Sequence, residues 1–389
     1  MDISSVISAG KDMIYLASCA LHGKTPDRDE VVSMDFEGIY KMSKFHSMQS
    51  IVYISISKCV EKYGEEIIDT ELFAKWKASY QSMMRKLIML DVEREGICKT
   101  VSDHGGWYLC LKGVVLQNYY PILGMRQMTD NDILVDDQSC EAVRDYLSSR
   151  EYQTLSYGKG CHDVYCKGPV TFEIHRKLFS ESVKTKRGSD YYRNVKSMLK
   201  KGDKPGEMFF GDEDFYVYFL YHAYKHYATA GCGVRTLMDI YVYLSKNTGL
   251  DKKYIDRQTD VLGIKGFADY SRELALAVFS PDSGREFLLS EDLSEFLEDY
   301  LTSGTFGTSK KYFEKGVMNF SNDGEINKKA KVKYLLRRLF PGMDYYRRAY
   351  PKAARWIIPI PFIWFARILR SFGKAKTLAN ELDTVNKMK

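Results

Sequence analysis

The stretch WYLCLKGVVLQNYYPILGMRQMTDNDILV, residues 107 to 135, decides how the chain is read. After the break at His104-Gly105-Gly106, WYLCL reads as a short strand, Lys112-Gly113 turns the chain, and VVLQNYY forms a short helix that Pro121 ends. The loop PILGMRQMT then leads into DNDILV, where two carboxylates separated by one residue head an apolar strand. Strand residues two apart share a face, so Asp130 and Asp132 point together while Asn131 points away. Paired carboxylates repel. Solvent, a shared proton or a divalent cation relieves them, and Mg²⁺ with its oxygen ligands suits the arrangement.

Outward from this stretch, SCEAVRDYLSSR (139 to 150) is a helix with Val143, Tyr146 and Leu147 on one face. CHDVYCKGPVTFEIHRKLF (161 to 179) is two β-rich runs joined at Lys167-Gly168-Pro169. As a hairpin it places Val170, Phe172 and Ile174 on one face and Thr171, Glu173 and His175 on the other. Glu173 is then the candidate third carboxylate. Three carboxylates on neighbouring strands can hold two divalent cations, the arrangement used to transfer a nucleotidyl group by in-line displacement. Lys112 and Gly113 offer a cation and a residue without Cβ at the start of the short helix, where phosphate can rest. D-x-D is also a frequent strand entry, and on spacing alone solvated acid is the commoner reading of the pair. Cys161-His162-x3-Cys166 matches no usual zinc spacing, and these residues are expected to be ordinary side chains.

Four ordered segments are more specific. WYLCLKGVVLQNYYPILGMRQMTDNDILV, VTFEIHRKLF (170 to 179), HAYKHYATAGCGVRTLMDIYVYL (222 to 244) and GTFGT (304 to 308) resemble, in that order, bacterial nucleotidyltransferase family proteins of the DNA polymerase β-like superfamily. The likeness continues into LRRLFPGMDYYRRAYPKAARWIIPIPFIWFARILR (336 to 370). It implies an α+β fold, a small mixed β-sheet core flanked by extensive helical regions. It also implies a magnesium- or manganese-dependent enzyme that moves a nucleoside monophosphate from a nucleoside triphosphate, ATP included, to a hydroxyl acceptor. Asp130, Asp132 and Glu173 would be the metal-holding catalytic residues, and Lys112, Gly113, Arg126, His226, Arg235 and Asp239 would line the nucleotide pocket. Arg126 is read as reaching either phosphate or the acidic strand, and Arg235 with Asp239 as an i, i+4 ion pair. Two departures stand out. Asn131 occupies a position that is apolar in the family, and Val114 follows Gly113 where many of these enzymes have serine.

The rest of the chain reads as helix from about Asp35 to His104, including a long run from Glu71, and again from about Asp212 to Leu301. Between them lies SVKTKRGSDYYRNVKSMLKKGDKPG (182 to 206), a polar, lysine-rich loop. The expected divisions are a helical region at 1–104, the catalytic core at 105–180, a helical domain at 181–325 completing the pocket, and a basic, amphipathic segment at 326–389. Residues 328 to 376 hold 14 Lys or Arg against one acid, so that segment carries +13 of the net +6 and the remainder −7. Such a tail seeks nucleic acid, a membrane surface or an acidic partner. Its apolar run WIIPIPFIWFA is too short to span a bilayer. Acidic Asp2 and interrupted hydrophobicity argue against an export signal, and eight scattered cysteines against a disulfide framework. A cytoplasmic protein is expected, with a membrane-peripheral tail as a variant of that reading. The acceptor stays open among RNA, protein, sugar and small molecules. A catalytically silent nucleotide-binding or interaction protein that acts through its basic tail is the alternative.

Overall fold

The computed structural model describes residues 2–182, 185–321 and 327–340; the apolar run 356–366 and most of the basic tail lie outside the described residues. Helices α1 (Ile3–Leu21), α2 (Arg28–Val32), α3 (Phe36–Phe45), α4 (Gln49–Tyr63) and α5 (Thr70–Asp103) fill the first hundred residues. Asp2, Asp27, Asp35 and Asp69 begin four of them, each side chain accepting a backbone N–H of the first turn that has no helical acceptor. The single helix α5 continues through Gly96, whose missing Cβ leaves room for the Tyr146 hydroxyl.

The sheet follows: β1 (Tyr108–Cys110), helix α6 (Gly113–Leu116), β2 (Asn131–Val135), helix α7 (Cys140–Ser149), β3 (Gln153–Ser156), β4 (His162–Lys167) and β5 (Val170–His175). Gly168, at φ 56°, takes the first position of the two-residue β4–β5 turn, a left-handed conformation that favours glycine. After helix α8 (Lys186–Tyr191), strand β6 (Leu199–Lys201) rises from the segment read as a polar loop, and with β7 (Glu207–Phe210), which directly follows it, completes a seven-stranded sheet of order β3-β4-β5-β2-β1-β7-β6. β6 is an edge strand whose exposed Lys200 and Lys201 discourage further pairing, which is why its sequence looks like a loop.

The sheet is mixed: β2 runs antiparallel to β1 and parallel to β5. On one face Ile133, Val135, Phe172 and Ile174 pack against Leu87, Leu90 and Ile97 of α5 and Val143 and Leu147 of α7. Asn131 shares that face, and its buried Nδ2 donates to the Leu90 carbonyl at 2.9 Å. The amide standing among apolar residues is thus tied to the long helix.

Helices α9 (Asp212–Ala230), α10 (Arg235–Lys246), α11 (Lys252–Val261), α12 (Lys265–Phe279) and α13 (Glu291–Leu301) continue the chain. Met1–Lys225 with Cys232–Thr305 form one compact unit. A second comprises His226–Gly231 and the chain from Phe306, where α14 (Ser309–Met318) and α15 (Lys328–Leu339) pack through Val317, Ala330 and Tyr334. Among the described residues, no helix is long and apolar enough to cross a membrane.

The hairpin alternation makes a direct prediction. Phe172→Ala empties a fully buried position and should cost about 3–5 kcal/mol in denaturant unfolding, whereas Thr171→Ala, on the half-exposed face, should cost well under half of that.

Candidate active site

β2 and β5 run in register, with Asp132 beside Glu173 and Leu134 beside His175. The alternation that sends Ile133 and Ile174 into the core therefore turns Asp132, Glu173 and His175 to the opposite face. Lys112 Nζ donates to Asp132 Oδ1 at 2.6 Å, and His175 Nε2 meets the same oxygen at 2.9 Å and Glu173 Oε2 at 3.5 Å. The ligand atoms of Asp132, Glu173 and His175 all lie within 4.8 Å of one another.

Asp132 is only 4% exposed. Burial works against its charge, but Lys112 and His175 hold the carboxyl far below the usual range. Burial would likewise push the Lys112 ammonium and the His175 imidazole down, and the carboxylates outweigh it, so both sit above their ordinary values. Glu173 is lowered by its contact with His175. Lys112 reaches Asp132 from the turn that begins α6, with a backbone φ of 43° that a side chain tolerates at a cost of about 1–3 kcal/mol. Asp130 precedes β2, outside the trio, and accepts from Thr129 Oγ1 at 2.8 Å. Burial, with Asp132 adding to it, pushes its carboxyl up.

The expected ion pair between Arg235 and Asp239 does not form. Asp239 takes Arg126 instead, through Nε at 2.7 Å and Nη2 at 2.9 Å, and accepts the Tyr120 hydroxyl at 2.7 Å. Arg126 therefore meets neither the acidic strand nor an open surface; the whole cluster is buried. The fork-shaped guanidinium matches a carboxylate better than the neighbouring helical turn allows. Gly113 belongs to this brace, since a Cβ there would stand 2.5 Å from Arg126 Nη1. Arg235 donates to the Gln127 carbonyl at 2.9 Å and makes no ion pair among the described residues; burial, then Arg126, push it down to about 10. His226 falls in the second unit, where its carbonyl accepts the Gly231 N–H.

Three residues escaped the reading of the sequence. His175 was placed on the right face but given no role. Lys86, on α5, donates to the Thr129 carbonyl at 2.5 Å and feels the Asp130 charge. Lys225, on α9, is pushed down to about 8 by burial, with Lys112 adding repulsion, while Asp132 and Glu173 pull it back up. Their signal was a lysine inside a mostly apolar or aromatic helical run, MMRKLIML and FLYHAYKHY, with Arg85 beside Lys86 and His226 beside Lys225. The Cys161, His162, Cys166 expectation divides. Cys166 lies opposite Thr171 near the hairpin turn, about 13 Å along the strand from His162. Cys161 and His162 instead converge with His175, their ligand atoms within 4.8 Å of one another.

Removing one side of the brace should be costly. Asp239→Ala leaves the Arg126 guanidinium buried without its counter-charge, and equilibrium unfolding should show a loss of about 3–5 kcal/mol.

With this geometry in place, the chain was compared with known proteins. Neither the curated proteins nor the solved structures contain a match. A family model described as uncharacterised nucleotidyltransferase matches residues 33–280, a span that holds all seven strands and the Asp132, Glu173 and His175 cluster. Well over half of the chain is covered, so it belongs to this nucleotidyltransferase family.

Proposed function

We propose that the chain moves a nucleoside monophosphate from a nucleoside triphosphate to a hydroxyl acceptor, with Asp130, Asp132 and Glu173 holding Mg²⁺ or Mn²⁺. The observation that carries this reading is the β2–β5 register, which sets two carboxylates side by side with Asp130 at the strand entry. Carboxylate oxygens suit both Mg²⁺ and Mn²⁺. A bound divalent cation would supply Lewis acidity to the phosphate oxygens and to the attacking hydroxyl.

The protein's own groups account for the rest. Lys86, Arg235 and Lys225 form a cationic rim about the carboxylates, each partly desolvated and so strongly attracted to triphosphate oxygens. The Arg126–Asp239 brace positions the segment that delivers Asp130. The acceptor oxygen bonds to the α-phosphorus as the bond to the bridging oxygen breaks. Pyrophosphate leaves with that electron pair, and the acceptor's proton passes to Glu173, the more exposed member of the trio. RNA, protein, sugar and small-molecule hydroxyls all fit this chemistry.

One observation favours a second reading. Asp132 already has internal partners on its Oδ1, the Lys112 ammonium and the His175 ring, as it would in a catalytically silent nucleotide-binding protein of the same fold. Incubation of the full chain with each labelled triphosphate, divalent cation and a total cell extract separates the two. Label in an acceptor fraction with pyrophosphate release supports transfer; nucleotide binding without release on any acceptor supports the silent protein.

Asp132→Asn should lower transfer by more than about 10²-fold, as should Glu173→Gln, which leaves the Lys112–Asp132 contact in place; thermal unfolding checks that both remain folded. Because burial, with Lys112 adding repulsion, lowers Lys225 to about 8, triphosphate affinity should fall as pH rises through that value, and Lys225→Arg should flatten the profile measured by equilibrium binding.

A further inference from the structure

We infer that Cys161, His162 and His175 form a site for a thiophilic divalent cation, Zn²⁺ foremost, and that its occupancy excludes the catalytic cation because His175 stands directly against Asp132 and Glu173, two of the residues that hold that cation. The second half of this inference rests on the function proposed above; the first does not.

The site is built by the hairpin. β4 and β5 are antiparallel with His162 opposite His175, and their rings lie 5.0 Å apart between centroids. Cys161 stands at the head of β4, where its carbonyl accepts the N–H groups of Arg176 and Lys177 at 2.8 and 3.2 Å, fixing it to the end of β5. Its Sγ lies 3.4 Å from His162 Nδ1. Zinc bonds of about 2.0–2.3 Å in a tetrahedral set place neighbouring ligand atoms about 3.3–3.8 Å apart. The trio, with all ligand atoms within 4.8 Å of one another, needs only a small side-chain contraction to close. Three protein ligands leave a fourth position for water.

Donor chemistry separates this trio from its neighbour. Thiolate and imidazole select Zn²⁺ and Co²⁺, whereas carboxylates select Mg²⁺ and Mn²⁺. His175 is buried, and its Nδ1 has no hydrogen-bond partner among the described residues, so the ring has coordinating capacity that the fold does not use. The His162 side chain is 34% exposed, which gives a cation a way in. Both clusters draw on His175, and two divalent charges only a few ångströms apart repel unless bridged by an anion.

The test titrates Co²⁺ into the full-length protein in excess Mg²⁺ and follows the near-ultraviolet thiolate-to-cobalt charge-transfer absorption. One equivalent should produce the band and Zn²⁺ should bleach it. Cys161→Ser should abolish it and Cys166→Ser should retain it. Absence of the band, or its survival in Cys161→Ser, overturns the site. In the activity arm, Zn²⁺ should inhibit labelled-nucleotide transfer by the wild type, and Cys161→Ser should require at least about 10-fold more Zn²⁺ for the same effect. Equal sensitivity overturns the exclusion. A chain that binds Co²⁺ through Cys161 yet transfers no nucleotide to any acceptor refutes the proposed reaction and leaves the site standing.

Discussion

A carboxylate sits almost sealed in the centre of a mixed sheet, and the surrounding structure answers to the need to neutralise it. An uncompensated charge at Asp132 would cost several kcal/mol. Lys112 and His175 both converge on its Oδ1, one from the turn after β1 and the other from β5. Meeting that need explains the unusual backbone of Lys112, since the turn that delivers the ammonium must take a conformation that side chains rarely adopt. It also ties the parallel register of β2 and β5 to electrostatics as well as to packing: a slip of one residue would move Glu173 and His175 into the hydrophobic layer.

A second buried charge pair stabilises the approach to this centre. Arg126, two residues beyond Gly124 in the loop before β2, is locked by Asp239 and Tyr120, and the space that its guanidinium needs exists because residue 113 has no Cβ. Gly113 and Lys112 therefore serve different partners despite being neighbours. One admits the brace, and the other neutralises the strand carboxylate. With Asp239 committed to Arg126, Arg235 is left to the Gln127 carbonyl.

Much of this was legible in the chain because it depends on short periodicities. The alternation in VTFEIH separated Phe172 and Ile174 from Glu173 and His175 before any fold was known, and the spacing of Asp130 and Asp132 marked the strand that carries the acids. Asn131 was a visible anomaly, but its answer was the carbonyl of Leu90, a residue 41 positions away. Strand β6 was missed because a lysine-rich edge strand shares the composition of a loop, and the four-residue β7 because it is too short to show a period and takes its place only by pairing with β1 and β6. The pairing of Asp239 was misread because local helical spacing offered Arg235, while the stronger partner arrived from 113 residues upstream. Lys86 and Lys225 sit in long helical runs beside Arg85 and His226, and nothing local in those runs marks which basic residue faces the acids.

Sequence by itself determined most of the helices, the β4–β5 hairpin and the faces on which the residues of β2 and β5 lie, since these follow from capping, turn chemistry and periods of two and 3.6 that act over a few residues. Its ordered motifs also pointed to the nucleotidyltransferase family that the chain belongs to. Only the tertiary structure decided which charges meet: Lys112 with Asp132, Arg126 with Asp239, and His175 between a carboxylate cluster and a Cys–His pair. The reason is that burial magnifies electrostatic energy, and burial belongs to the packed sheet and helices rather than to any local stretch of chain.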